Sequence, residues 1–208
     1  PAGRQWRGGG KQRRIGLRGC WESVMPLHSA RLLAPVGRGA ARSALMMIST
    51  ATLYYNDVYE VKLPEGHKFP MGKYRMVREE LELWAASRPW VDFVRSPLAT
   101  HEELFTTHHP DYVRGFIEGT LPAPMYRRIG FPYSPEQVLR ILSSVGGCTA
   151  AARLLAEGAL ARRRDPSLPP WATPWVAGQI AGGTHHAYHD RGEGFCAFSD
   201  MAVAANAV

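Results

Sequence analysis

Between residues 73 and 87 apolar side chains return every third or fourth position (Tyr74, Val77, Leu81, Trp84), and Arg78, Glu79, Glu80 and Glu82 fill the gaps. That 3.6-residue period predicts an amphipathic helix, closed by Arg88-Pro89. A longer helix opens at Ser134-Pro135-Glu136-Gln137, where Ser134 can cap the first turn and Gln137 can reach back to it. It runs through Val138, Leu139, Ile141 and Leu142 to about Leu155. Gly146-Gly147 is expected to loosen it, and with Ala150, Ala151 and Ala152 these small residues let a neighbour approach closely. Shorter helices are expected at 101–106, at 110–118, where Pro110 suits a first-turn position, and from Asp200 onward with Ser199 or Asp200 as cap. Three short apolar runs read as strands: Leu53-Tyr54-Tyr55, Val91-Asp92-Phe93-Val94, and residues 175–180, the last as a short buried strand. Residues 63–70 and the segment from Arg162 to Pro170 are too rich in Pro and Gly, or in Pro and charge, for regular structure.

Helices alternating with short strands predict an open α/β domain with a parallel sheet flanked by helices. In such sheets ligands gather at the C-terminal ends of the strands. One loop stands at that address. After the strand at 175–180 come Ala181-Gly182-Gly183-Thr184-His185-His186-Ala187, then Asp190-Arg191-Gly192-Glu193-Gly194-Phe195-Cys196. Adjacent histidines on a loop can both face one cavity, and the glycines allow tight turning and close approach to a ligand. Imidazole titrates near neutrality and can take a proton from water. His185 and His186 are therefore candidate catalytic residues. The pair His108/His109, ahead of Pro110-Asp111-Tyr112, is read as structural, and Cys196 as a small buried apolar residue. No spacing of His, Cys or carboxylate residues defines a metal site, so no metal ligand is assigned.

The net charge of +7 points toward nucleic acid or an anionic surface until it is divided. Residues 1–56 hold nine Lys/Arg against one acid, leaving 16 bases and 17 acids for residues 57–208. The basicity belongs to the leader, which removes direct nucleic-acid binding as an expectation for the domain. Residues 25–50 contain Arg, Ser and Ala and no acid, the composition of an organelle transit peptide. Residues 1–50 are thus a basic leader and residues 51–208 the folded domain. A mitochondrial or chloroplast location follows if the leader is a transit peptide, and cytoplasm or nucleus otherwise. Three widely spaced cysteines without a C-x-x-C pair imply neither a disulfide framework nor a cysteine zinc site. No continuous apolar run approaches the ~18–20 residues that span a bilayer, so no membrane partner is expected.

The two loop segments resemble the active-site loop of the zinc-dependent histone deacetylase superfamily, in the manner of its class IV and bacterial acetoin-utilisation members. Other segments agree in order: Leu63-Pro64-Glu65-Gly66-His67-Lys68-Phe69-Pro70-Met71 with Lys73-Tyr74, His108 with Pro110 and Tyr112, and Arg128-Ile129-Gly130-Phe131-Pro132. The resemblance spans residues 53–208 and implies a partial arginase/deacetylase-like fold. By resemblance, His186 is the general base, His185 assists the water and the oxyanion, and Phe195 and Gly194 wall a tunnel for an acyl-lysine side chain. The reaction implied is zinc-assisted hydrolysis of acetyl-lysine in a protein, or of a small acetylated amide. In the family the zinc ligands, the carbonyl-polarising tyrosine and the carboxylates that orient the histidines follow this loop. The chain is therefore expected to be truncated before the zinc-ligand strand and, alone, inactive. Three departures accompany the match: Ser199 stands where the family has Asn, Tyr133 where it has Trp, and the proline-rich loop at 162–174 is long. Two other functions remain open: a non-catalytic interaction module using an unpaired sheet edge, and a metal-free hydrolase.

Overall fold

The computed structural model describes residues 50–208; the leader and its reading as a transit peptide lie outside the described residues. Three parallel strands, β1 (Ala51–Tyr55), β2 (Val91–Arg95) and β3 (Val176–Gln179), form a sheet in the order β2-β1-β3. Ala51 stands opposite Val91 on one side and Val176 on the other. Parallel neighbours require crossover connections. Helix α1 (Lys73–Ala85) lies in the first, and α2 (His101–Phe105), α3 (Pro110–Glu118), α4 (Ala123–Ile129) and α5 (Pro135–Arg164) lie in the second. Helix α6 (Asp200–Asn206) follows the histidine loop. The α/β architecture expected from the sequence is the one observed.

Helix α5 organises the domain, and it departs from expectation in three ways. It is unbroken at Gly146-Gly147. A Cβ at Gly146 would fall 2.2 Å from the Pro97 carbonyl oxygen, and one at Gly147 would fall 2.5 Å from Gln179 Oε1. The glycines serve contact and not flexibility. The helix also continues through Arg162-Arg163-Arg164, placed in the sequence reading in a loop. It stops at Asp165, extended because Pro166 follows, and three cations suit a helix C-terminus. The capping box forms by half. Ser134 Oγ accepts the Gln137 N–H at 3.1 Å, but the Gln137 side chain is buried with no hydrogen-bond partner among the described residues. The full reciprocal box forms at Thr100 and Glu103 instead.

The core lies among the helices. Leu104, Val113, Ile129, Leu142, Val145, Phe198 and Val203 are essentially inaccessible. Helix α1 contributes no buried residue: Val77 and Trp84 on its apolar face are about half exposed. β3 is not the buried strand expected, since Val176 is 54% exposed. Among the described residues it pairs only with β1 and forms a sheet edge. Helix α4 has no counterpart in the sequence reading, because Pro122-Ala123-Pro124 looks like a breaker yet supplies a first-turn proline. Helix α5 is long and apolar enough to cross a bilayer by length and composition, although 61% of that stretch is buried inside the fold. Its Gly, Ala, Ser and Thr residues keep it from reading as one apolar run.

Candidate active site

β3 ends at Gln179, and its carbonyl accepts the Gly182 N–H at 3.2 Å, turning the chain out of the sheet. Gly183 then takes φ +95, a conformation that disfavours a side chain. The next residues, His185 and His186, are both exposed, with ring centroids 4.1 Å apart. His185 Nδ1 lies 2.8 Å from the Gly183 carbonyl oxygen. That oxygen can only accept, so Nδ1 carries a proton.

The second half of the loop returns over the end of α4. Gly194 N–H donates to Arg128 O at 3.2 Å, and Phe195 N–H donates to Ile129 O at 2.7 Å. Phe195 is held at φ +67, rare for an aromatic residue and a mark of local strain. Its ring sits 5.2 Å from those of Phe69 and Phe131 and 6.0 Å from His67. His67, part of the segment that carries the resemblance but given no role there, braces this wall. It accepts the Phe69 N–H at Nδ1 and stands 2.9 Å from Gly130 O through Nε2. A Cβ on Gly194 would lie 3.3 Å from the His186 ring, so bare backbone faces that imidazole.

His185, His186, Gly194 and Phe195 thus line one cleft, a cavity of about 280 Å³. Lys73, Tyr74, Arg140 and Ser144 line it too. Arg140 was not foreseen as a cleft residue. It stands in the apolar run of α5 beside Val138, Ile141 and Leu142, and that position was the available signal. Its guanidinium is buried within 5.1–5.5 Å of the Phe69, Tyr74 and Phe131 ring centres, and burial lowers its pKa. No carboxylate belongs to the lining, so the described part of the cleft carries only positive charge.

His108 and His109 have the structural role expected. His108 is fully buried: its Nε2 accepts the Ser199 N–H at 3.0 Å, and its Nδ1 lies 2.8 Å from Tyr188 O. Burial lowers its pKa and keeps the ring neutral. His109 Nδ1 accepts the Asp111 N–H at 3.2 Å and so caps the start of α3. Cys196 is buried and free, as expected, while burial and the neighbouring Asp200 push the Cys148 thiol up to about 12. Cys148 is therefore not an activated nucleophile.

Residues 67–208 match the histone deacetylase domain family. The chain belongs to that family. It is 36% identical over 155 residues to an uncharacterised protein of Picosynechococcus sp., covering 74% of this chain and 46% of that protein. It is 32% identical over 123 residues to the acetoin utilization protein AcuC of Bacillus subtilis, covering 54% of this chain and 28% of AcuC. The chain therefore spans less than half the length of these relatives. Among solved structures, the HD domain of HDA15 superposes with a TM-score of 0.54 at 15% identity, covering 76% of this chain and 43% of that one. A histone deacetylase homologue from Aquifex aeolicus gives 0.53 at 20% identity, covering 76% and 40%. These likenesses establish the deacetylase fold for the described region. Family members are generally metal-dependent. Among the described residues, however, no group of three or more His, Cys, Asp or Glu side chains converges where an ion could be held. The donor set present does not fit zinc.

Proposed function

We propose that this cleft is the proton-handling side of an amide hydrolase acting on acetyl-lysine in a protein or on a small acetylated amine, with zinc as cofactor of the complete enzyme. The observation that carries this reading is the placement of two accessible imidazoles, 4.1 Å apart, against the Gly194/Phe195 turn at the C-terminal end of β3. His186 is assigned as general base and His185 as its partner. An imidazole takes a proton from water as the water oxygen adds to the acyl carbon. The C–N bond then breaks, the leaving nitrogen takes a proton, and acetate and a free amine are the products. Phe195, with Phe69 and Phe131, offers an apolar wall for the lysine alkyl chain, and Gly194 lets that chain approach the backbone. Because the residues present do not fit zinc, residues 51–208 alone are expected to be inactive.

The test uses the full-length protein and an acetyl-lysine peptide. His186→Ala should lower turnover by orders of magnitude without changing the fold; near-wild-type rates would remove His186 as base. Chelator-insensitive turnover would favour the metal-free hydrolase. One-to-one zinc in residues 51–208, by elemental analysis, would refute the assignment of the ligands to other residues. Among the described residues β3 forms a sheet edge, with Val176 54% exposed and Trp175 just before it 57% exposed, and this supports the alternative of an interaction module. An Asp-x-His after a further strand in the natural sequence beyond residue 208 would decide for the hydrolase, and a natural stop there for the module. Residues 25–50 are proposed to direct the chain to a mitochondrion or chloroplast. A fluorescent reporter carrying them should collect there, and a diffuse cytoplasmic or nuclear signal would refute this.

A further inference from the structure

We infer that Asp200 is a positioning residue for the histidine pair: its buried carboxyl group holds the Gly183-Thr184 backbone, and so sets the direction in which His185 and His186 leave the loop. This rests on the catalytic reading of the pair. Asp200 begins α6 and is 0% exposed. A carboxylate in a first helical turn ordinarily faces the free N–H groups of that helix. This one turns away, and its Oδ2 accepts the Gly183 N–H at 2.8 Å. The backbone N–H of Asp200 donates to Thr184 Oγ1 at 3.0 Å, and Ser199 Oγ donates to Thr184 O at 3.4 Å. Three hydrogen bonds therefore tie two consecutive loop residues to the start of one helix.

The same loop is also pressed by α5. A Cβ at Gly182 would come 2.8 Å from Cys148 Sγ, and Ser144 Oγ donates to Ala181 O at 3.0 Å. At Gly183 nothing lies within 4 Å of a built Cβ, so its φ of +95, and no neighbouring atom, is what disfavours a side chain there. The Asp200 carboxyl group, which also meets the Cys148 thiol, fixes the Gly183 N–H. The Gly183 carbonyl, across the same Cα in the next peptide group, meets His185 Nδ1 at 2.8 Å. Asp200 thus acts on the imidazoles through the backbone of Gly183, without touching the reacting atoms. A merely stabilising role for Asp200 would predict loss of stability spread over the fold; a positioning role predicts loss of rate.

The experiment compares full-length wild-type protein with Asp200→Ala, Asp200→Asn and Thr184→Val. Two readouts are used: steady-state kinetics on an acetyl-lysine peptide and hydrogen exchange at the Gly183 amide. Misplacing a catalytic group by about 1 Å can cost on the order of 100-fold in rate. Asp200→Ala is therefore expected to lower kcat by about that factor, with KM little changed and Gly183 exchange accelerated. Asp200→Asn keeps an acceptor oxygen and should recover most of kcat and of the protection. Thr184→Val, which removes only the Oγ1 acceptor, should fall between them, and it serves if Asp200→Ala fails to fold. An unchanged kcat in Asp200→Ala, or Gly183 still protected in it, would overturn the inference, as would a loss in Asp200→Asn equal to that in Asp200→Ala. If the wild type hydrolyses no acyl-lysine substrate, the functional reading fails, and the Gly183 exchange alone still decides whether Asp200 holds the loop.

Discussion

Replacing Gly146 with alanine tests whether α5 owes its position to the absence of a side chain. A built Cβ lies 2.2 Å from Pro97 O, 2.6 Å from Ala99 N and 2.8 Å from the Leu98 carbonyl carbon. All three are backbone atoms, so no side chain can swing aside. The helix must move outward by more than 1 Å, judged against the ~3.5 Å of ordinary van der Waals contact. Such a shift strains the Ala99 N–H···O Leu142 hydrogen bond, now 3.0 Å. Against this, alanine gains about 1 kcal/mol of helix propensity over glycine. Overpacking costs typically ~1–3 kcal/mol and more when the neighbours are rigid, and this position lies at the upper end. The expected net loss is about 2 kcal/mol, a fall of some 4–8 °C in Tm for a chain of this size. Gly147→Ala should lose less, because its nearest contacts are the side-chain ends of Gln179 and Ser96. Gly158→Ala, with Thr173 Cβ at 3.3 Å, should be close to neutral. Denaturant and thermal unfolding of the three variants in the full-length protein give the ranking. If Gly146→Ala matched or exceeded wild-type stability, the close approach of α5 to residues 97–99 would be wrong.

Two pH responses follow from buried rings. His108 is neutral in the fold with its pKa lowered by burial, so the unfolded chain binds the proton more readily. Its contribution is present above the ordinary value of 6.5 and is lost as pH falls below it; His108→Gln should flatten the acid limb of a plot of stability against pH, and an unaltered limb would contradict this. Tyr112 is raised above 10 by burial, its hydroxyl donating to Ala197 O at 2.7 Å, and Tyr126 is pushed up to about 12. Both favour the fold below pH 10, and that support is lost as pH rises from 10 through the native values. Tyr112→Phe should cost about 1–2 kcal/mol at neutral pH, since it leaves a buried carbonyl unpaired, and should shift the alkaline unfolding midpoint in urea titrations; no change in either would refute the role given to that hydrogen bond.

Some of this fold was legible without coordinates. The period of Tyr74, Val77, Leu81 and Trp84 located α1, and the cap at Ser134 located the start of α5. Both signals are local: a helix requires hydrogen bonds among near neighbours, and their residue preferences are written in adjacent positions. The loop chemistry was legible for the same reason, since Gly183 and the histidines are consecutive. What covers a helix is a different matter. The same periodicity that located α1 could not say that Val77 and Trp84 would stay exposed, because burial depends on which elements arrive opposite them.

Tertiary structure alone decided the rest. It left the side chain of Gln137 a buried amide with no partner among the described residues and gave the complete capping box to Thr100 and Glu103. It brought Arg140 from an apolar helix face into the cleft, and it joined His108 to Ser199 across 91 residues and Gly183 to Asp200 across 17. The sequence by itself determined that two histidines sit on a glycine loop after a strand, and to which family such a loop belongs. Only the packing of α5 and α6 against that loop decided where the imidazoles point, because hydrogen bonds between distant residues exist only once their elements are brought together.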